Sequence, residues 1–268
     1  MTALAAPAPV TPVARKRERP AWLGGAIGVI GLLVVWQILG ETVFSKNNTI
    51  PPPTHILQQM RADGWMFYWH NARTTMHEAF FGWLWGNGLA IVLALAFLVL
   101  PILERPLVRL AVTSYCIPII AIGTILQICF NGQTPKIIIA AMAVFFTTLI
   151  GMLVGLRSAD KTSLDMVHAY GGGAVKQLTK VRLRSALPSL FAALRIAAPA
   201  AVLGAIIGEY LGGESGLGVA MISSQAGLEI DRTWAIALVA AALAGVAYGI
   251  TAMVGRLLTP WAPKRAKI

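Results

Sequence analysis

The sequence predicts an all-α membrane protein with about six transmembrane helices, and three observations carry that prediction. The 268 residues are 57% hydrophobic and only 12% charged, against roughly 25% charged in a soluble globular domain, and the mean hydropathy is +0.70. Six apolar windows, at approximately 22–39, 79–100, 110–130, 137–156, 186–210 and 234–258, each come close to the ~20 residues that a helical span needs. The windows are continuous and rich in Leu, Ala and Ile, whereas membrane-barrel strands alternate apolar and polar side chains over ~10 residues.

The opening MTALAAPAPVTPVARKRERP places a basic cluster behind a charge-poor start and ahead of the first apolar run. A cleaved signal peptide carries its charge first and has a shorter apolar core. Residues 1–20 are therefore expected to be a disordered basic cytoplasmic tail, residues 21–262 the transmembrane domain, and residues 263–268 a second cytoplasmic tail. With both termini inside, Arg15, Lys16, Arg17, Arg19, Arg105, Arg109, Arg157, Lys161, Lys176, Lys180, Arg182, Arg184, Arg256, Lys264, Arg265 and Lys267 fall on cytoplasmic segments. Lys46, Arg61, Arg73, Lys136 and Arg232 fall outside, and Arg195 falls within the fifth run. That bias follows the positive-inside rule. It accounts for the formal net charge of +11 without a nucleic-acid partner.

After the first run, IPPPTHILQQMRADGWMFYWHNARTTMHEAF (residues 50–80) has a proline stretch, a short amphipathic pattern and the aromatic cluster Trp65, Phe67, Tyr68 and Trp69. Aromatic rings settle at headgroup level, so the segment is expected to lie along the outer membrane surface and turn into the second span. LERPLVR joins the second and third runs, and FNGQTPK, with its Asn-Gly turn signal, joins the third and fourth. Connections this short pack neighbours antiparallel. Cys116 and Cys129 lie in the third run, ~20 Å apart at 1.5 Å per helical residue, too far to bridge each other.

The longest polar stretch on the inner side, residues 160–185, lies between the fourth and fifth runs. Ser163 to Tyr170 reads as a short helix with Thr162 or Ser163 as N-cap and Asp165 in its first turn. Gly171, Gly172 and Gly173 then end it, because glycine takes positive φ without steric cost. Ala174 to Arg184 reads as a second amphipathic helix at an angle to the first, with Val175, Leu178 and Val181 on one face and Lys176, Lys180, Arg182 and Arg184 elsewhere. Pro188 falls in the first turn of the next span. Such a basic pair fits anionic lipid or a docked partner equally well. GGGAVKQL is not a phosphate loop, since Lys176 is followed by Gln177 and no strand precedes it. No Ser/His/Asp set, HExxH or paired-carboxylate cleft points to catalysis.

The same stretch resembles the cytoplasmic EAA motif of ABC-importer permeases, E-A-A-x-x-x-G followed by I-x-L-P. Asp165 takes the Glu position, Met166 and Val167 the Ala positions, Gly171 the Gly position, and Val181 and Leu183 the Ile and Leu positions. Arg184 replaces the motif proline, and Pro188 matches a second proline of the branch that imports nitrate, sulfonates and taurine. Across roughly residues 50–260, IPPPTHIL, TMHEAFFGW, IPIIAI, GLRSAD and ALRIAAPAAVLGAIIGEYLGGESGLG are similar to further segments of that branch.

The resemblance implies a type I importer permease fold with cytoplasmic coupling helices, in the bacterial inner membrane. It implies two separate ABC ATPase subunits that carry ATP and Mg²⁺, a second permease subunit expected to be identical, and an extracytoplasmic substrate-binding protein. No cofactor and no enzymatic activity are expected in this chain itself. ATPase coupling would fall to Asp165, Met166, His168, Ala169, Tyr170, Gly171 and Gly172.

Polar residues inside the runs are Gln37, Asn87, Thr113, Ser114, Thr124, Gln127 and Asn131, and such residues are costly in a bilayer. The third and fifth spans line the pathway in the family, which favours Ser114, Thr124 and Gln127, with Glu209 near the outer end of the fifth. The expected solute is a small polar or anionic organic nutrient such as a sulfonate, nitrate or a pyrimidine; Glu78, where the branch often has Arg, hints at pyrimidine- or flavin-like nutrients. Two other classes compete. A secondary transporter or channel without ATPase would carry an inverted repeat or a midplane ion constellation, and a scaffold would bind lipid or protein with no solute flux.

Overall fold

A computed structural model describes residues 21–44, 49–100 and 117–262, together with Ile102, Pro106, Val108, Arg109, Val112 and Thr113. The tails expected at 1–20 and 263–268 lie outside the described residues. Regular structure among the described residues is helical throughout: α1 (Ala21–Thr42), α2 (Pro53–Asp63), α3 (Trp65–Val99), α4 (Ile119–Cys129), α5 (Thr134–Arg157), α6 (Lys161–Ala169), α7 (Ala174–Gln177), a π-helical turn (Leu178–Arg182), α8 (Leu183–Gly212), α9 (Leu217–Ala226) and α10 (Ile230–Leu258). The chain divides into an N-terminal unit, Met1–Thr54, and a main unit, His55–Ile268.

In the N-terminal unit α1 is apolar all round, with Ile27, Val29, Ile30, Leu32, Val35 and Ile38 exposed. A helix without a polar face is suited to lipid on every side. Gln37 Nε2 donates to Thr54 Oγ1 at 2.9 Å, and Thr54 N donates back to Gln37 Oε1 at 3.3 Å.

Five windows become helices long and apolar enough to cross a membrane: α1, α3, α5, the continuous helix Ala174–Gly212, and α10. The third window, 110–130, is interrupted. Its described helical part is chiefly the short α4, preceded by non-helical Ile117 and Pro118. Pro118 has no N–H to donate, and its ring disfavours helical geometry at the residue before it. Cys129, the last residue of α4, is a free, exposed thiol, and Cys116 lies outside the described residues.

The main unit is built around α5 and α8, with α3 along α5 and α10 along α8. Small residues let the backbones approach. A Cβ on Gly82 or Gly86 of α3 would lie 2.3 Å from Ala140 Cβ or 2.4 Å from Ala141 O of α5, and one on Gly204 of α8 would lie 2.8 Å from Ala140 Cα. Lipid tails are as apolar as these side chains, so tight van der Waals packing and interhelical hydrogen bonds drive such association. Asn87 and Thr148 supply one such bond, the buried Thr148 hydroxyl donating to Asn87 Oδ1 across the α3–α5 contact. Pairs of this kind contribute roughly 0.6 kcal/mol on average.

The α2–α3 corner is pinned to α10. Gly64 turns the chain at φ 76°. Asp63 then accepts hydrogen bonds from Gln59 Nε2 (2.9 Å), Tyr68 Oη (2.7 Å) and Arg232 Nε and Nη2 (2.9 and 2.6 Å). Burial works to raise the Asp63 carboxyl; the hydrogen bonds from Arg232, Tyr68 and Gln59, with the guanidinium charge, outweigh it and hold the group below its ordinary value. The expected aromatic cluster opens α3, where Trp65 and Trp69 stack at 6.1 Å and are exposed while Tyr68 is buried.

Candidate functional site

Two constellations stand at opposite ends of the helix Ala174–Gly212. At its start is the exposed segment that contains α6. Asp160 caps α6, accepting from Ser163 N at 3.0 Å and Ser163 Oγ at 3.2 Å. Asp160, Thr162 and Ser163 all carry a capping oxygen, and the structure gives the role to the first of them. Helix α6 thus starts earlier than expected, and Asp165 lies beyond its first turn. Its carboxylate is free of the local capping role.

Leu164 and Val167 are half-buried, while Asp165, Met166, His168, Ala169 and Tyr170 are exposed. Tyr170 is 85% exposed and Met166, one turn earlier, 62%; residues four apart share a helix face. A large apolar and aromatic edge therefore points away from the protein. Gly171 ends the helix at φ 73°, and Gly172 N closes the turn on Val167 O at 2.8 Å. Gly172 is buried, and a Cβ there would sit 2.5 Å from Val167 Cγ1 and O.

The expected second, separate helix is instead the beginning of the long span. From Ala174 the chain runs through α7, the π-helical turn and α8 without a break. Arg184 retains the N–H that a proline would lack, so nothing at that position interrupts the helix. Its guanidinium lies 6.0 Å from the Trp261 ring centroid. Pro188 consequently lies inside α8 rather than in a first turn, and Val175 is 74% exposed rather than part of a packed face.

Near the other end of the same helix, ~50 Å from Ala174 at 1.5 Å per residue, Glu209 is buried. Its Oε1 accepts from Thr75 Oγ1 and its Oε2 from Gly218 N, both at 2.6 Å. Thr75 Oγ1 accepts in turn from Leu217 N at 2.9 Å, and Asn71 Oδ1 from Gly216 N at 3.3 Å. The first N–H groups of α9 are thus satisfied by side chains of α3 and α8 rather than by a local cap. The glycines of GGESGLG follow from this: Gly216 has φ 125°, and a Cβ on it would lie 2.2 Å from Glu209 Oε1.

Beside Glu209 lie Glu78 of α3 and Lys136 of α5. Both are buried, and Lys136 Nζ donates to Gly132 O at 2.9 Å. Lys136, expected in an outer loop, is in fact the third residue of α5 and packed in the protein. Neither Thr75 nor this role of Glu78 and Lys136 was signalled by any local pattern.

Of the solute candidates, Thr124 donates its hydroxyl to Ile120 O of its own helix at 2.8 Å, and Gln127 Nε2 donates to Gly208 O of α8 at 3.2 Å. Ser114 lies outside the described residues. Neither Thr124 nor Gln127 hydrogen-bonds to Glu209's carboxylate, whose partners are Thr75 and Gly218. A cavity of about 740 Å³ opens between α3, α4, α5 and α8, with Trp85, Ile122, Met142, Phe145, Phe146 and Ile207 in its wall.

Residues 86–260, from the middle of α3 past the end of α10, match the family of binding-protein-dependent transport system inner membrane components. The chain belongs to that family. It is a multi-pass inner-membrane permease subunit of an ABC importer, and its all-α architecture is that of the type I permeases. A probable ABC transporter permease of Haemophilus influenzae is 29% identical to it over 209 residues, 78% of this chain and 85% of the relative. The riboflavin transport system permease of Chloroflexus aurantiacus is 29% identical over 260 residues, 94% and 96% of the two chains. The formylaminopyrimidine transport permease of Halalkalibacterium halodurans is 24% identical over 235 residues, 87% and 94%. As a family, such permeases work with an ATPase and a substrate-binding protein.

Proposed function

We propose that this permease couples to its ATPase through α6 and the turn that ends it. The observation that carries the reading is the exposed edge of Asp165, Met166, His168, Ala169 and Tyr170, stopped by Gly171 and Gly172 and joined through a short turn to an unbroken helix across the membrane. A large aromatic contact beside an apolar one suits a cleft in a protein partner. A helix that starts at the docking site and ends at the Glu209 cluster can carry a displacement from one side to the other. A ligand-driven switch needs a contact that differs between states, and ATP binding on the partner supplies it.

The arrangement proposed is two ATPase subunits holding ATP and Mg²⁺, a second, identical permease chain related by a two-fold axis, and an extracytoplasmic protein that delivers the solute. Both termini lie in the cytoplasm. Thr124 and Gln127, with Ser114, are the proposed pathway positions, and we assign Glu209 to holding α9 in place of solute contact. The solute is a small polar or anionic organic nutrient. The relatives named for riboflavin and formylaminopyrimidine transport favour a planar heteroaromatic ring, to which Trp85, Phe145 and Phe146 in the otherwise largely aliphatic cavity wall offer ring faces.

Affinity purification of the tagged chain from its own membrane tests this reading. Recovery of a Walker-motif ATPase at about equal amount, with a secreted binding protein, is expected; the binding protein's ligand then identifies the solute. Recovery without an ATPase, where a control importer keeps its own, would refute the coupling.

A further inference from the structure

The cluster of Glu78, Glu209 and Lys136 contains two carboxylates and one ammonium, all withdrawn from solvent, on three different helices. The two carboxylates are not equivalent. Both oxygens of Glu209 receive strong donors, the Thr75 hydroxyl and the Gly218 N–H, which is the environment of an anion. Glu78 is fully buried, and neither of its oxygens has a hydrogen-bond donor among the described residues. The groups that face it are Glu209 from α8 and Lys136 from α5. Thr75, one turn away on α3, donates its hydroxyl hydrogen bond to Glu209, with Asn71 O as a longer second acceptor, and the Lys136 ammonium has a carbonyl acceptor in Gly132.

A buried carboxylate without donors is among the most costly groups a protein can hold, and a second anion beside it adds repulsion. A neutral carboxylic acid reverses both effects. Its O–H becomes a donor, and Glu209 is the acceptor within reach. We propose that Glu78 and Glu209 form a buried proton-binding site, in which one proton resides on Glu78 and is donated to Glu209 while Lys136 supplies the counter-charge. The bound proton makes the three-residue cluster neutral and gives Glu209 a third donor. It fastens α3 to α8 at the point where Glu209 also holds the start of α9. A metal ion is a poorer occupant: the Lys136 ammonium already stands there, and no group of three or more metal-ligating side chains occurs among the described residues.

The test uses the full chain in lipid nanodiscs at neutral pH, with glutamate carboxyl groups labelled with ¹³C. A protonated carboxyl gives an infrared carbonyl band that shifts with the label and again in D₂O. The band is expected in the wild type and is lost in Glu78→Gln, whose thermal midpoint stays at the wild-type value because an amide keeps the shape, the neutrality and a donor. Glu209→Gln, which removes the anion, lowers the midpoint. Absence of the band in the wild type, its persistence in Glu78→Gln, failure of Glu78→Gln to fold, or wild-type stability of Glu209→Gln would each overturn the proposal.

Discussion

Glu209 Oε2 accepts the backbone N–H of Gly218 at 2.6 Å, so a carboxylate near the end of the long membrane helix holds the start of the short helix α9. Truncating Glu209 to Ala leaves that N–H unpaired inside the protein and the Thr75 hydroxyl with only the Asn71 carbonyl, 3.3 Å away, as acceptor. The expected cost is about 3 kcal/mol or more, read as a lowered midpoint of thermal unfolding in detergent. Gly216→Ala should act on the same contact from the other side, since its Cβ would collide with Glu209 Oε1. An unchanged midpoint for both variants would remove the capping role.

Gly171 separates conformational from steric effects, because a Cβ there meets nothing within 4 Å while φ is 73°. Gly171→Val forces a β-branched residue into the left-handed region, at a cost of roughly 1–2 kcal/mol. No span residue changes, so membrane insertion should be normal while ATP-dependent uptake is lost. Normal uptake by the variant would show that the turn plays no part in coupling.

Removal of the α6 cap should loosen this helix without touching its exposed face. Asp160→Ala is expected to cost about 1 kcal/mol of local helix stability, seen as faster amide exchange across Lys161–Ala169 with little change elsewhere. Asp160→Asn, which keeps an acceptor oxygen, should restore most of the protection.

The Asp63–Arg232 corner predicts an acid limit to stability. The carboxyl is held below its ordinary value of 3.8 in the folded protein, so its contribution is fully present above the unfolded-state value. It is lost as pH falls through the lower folded-state value. Unfolding midpoints measured from neutral pH downward should decline below about pH 4. In Asp63→Asn that part of the decline should be missing, with a lower midpoint at neutral pH.

The long apolar runs were legible because burial in lipid leaves a compositional mark on every residue of a span, and α3, α5, α8 and α10 contain the predicted windows. Gly171 was legible for a similar reason: a glycine run after a short polar helix has few other uses. The cap of α6 was misplaced because Asp160, Thr162 and Ser163 are three competing cap oxygens within four residues, and local chemistry does not rank them. Pro118 was read as part of a span, although its missing N–H interrupts the helix there. The partnership of Thr75 with Glu209 joins residues 134 positions apart, and no periodicity encodes such a contact. Lys136 was counted as a loop charge because its burial depends on α8 covering it, which shows only in three dimensions.

Photocrosslinking from position 170 in native membranes tests the central claim most directly, because Tyr170 is the most exposed large side chain of the docking segment. A photoreactive amino acid placed there, in a chain that still supports uptake, is predicted to form an adduct with a Walker-motif ATPase, and more strongly in one nucleotide state than in another. Adducts with lipid alone, from a transport-competent chain, would contradict the account.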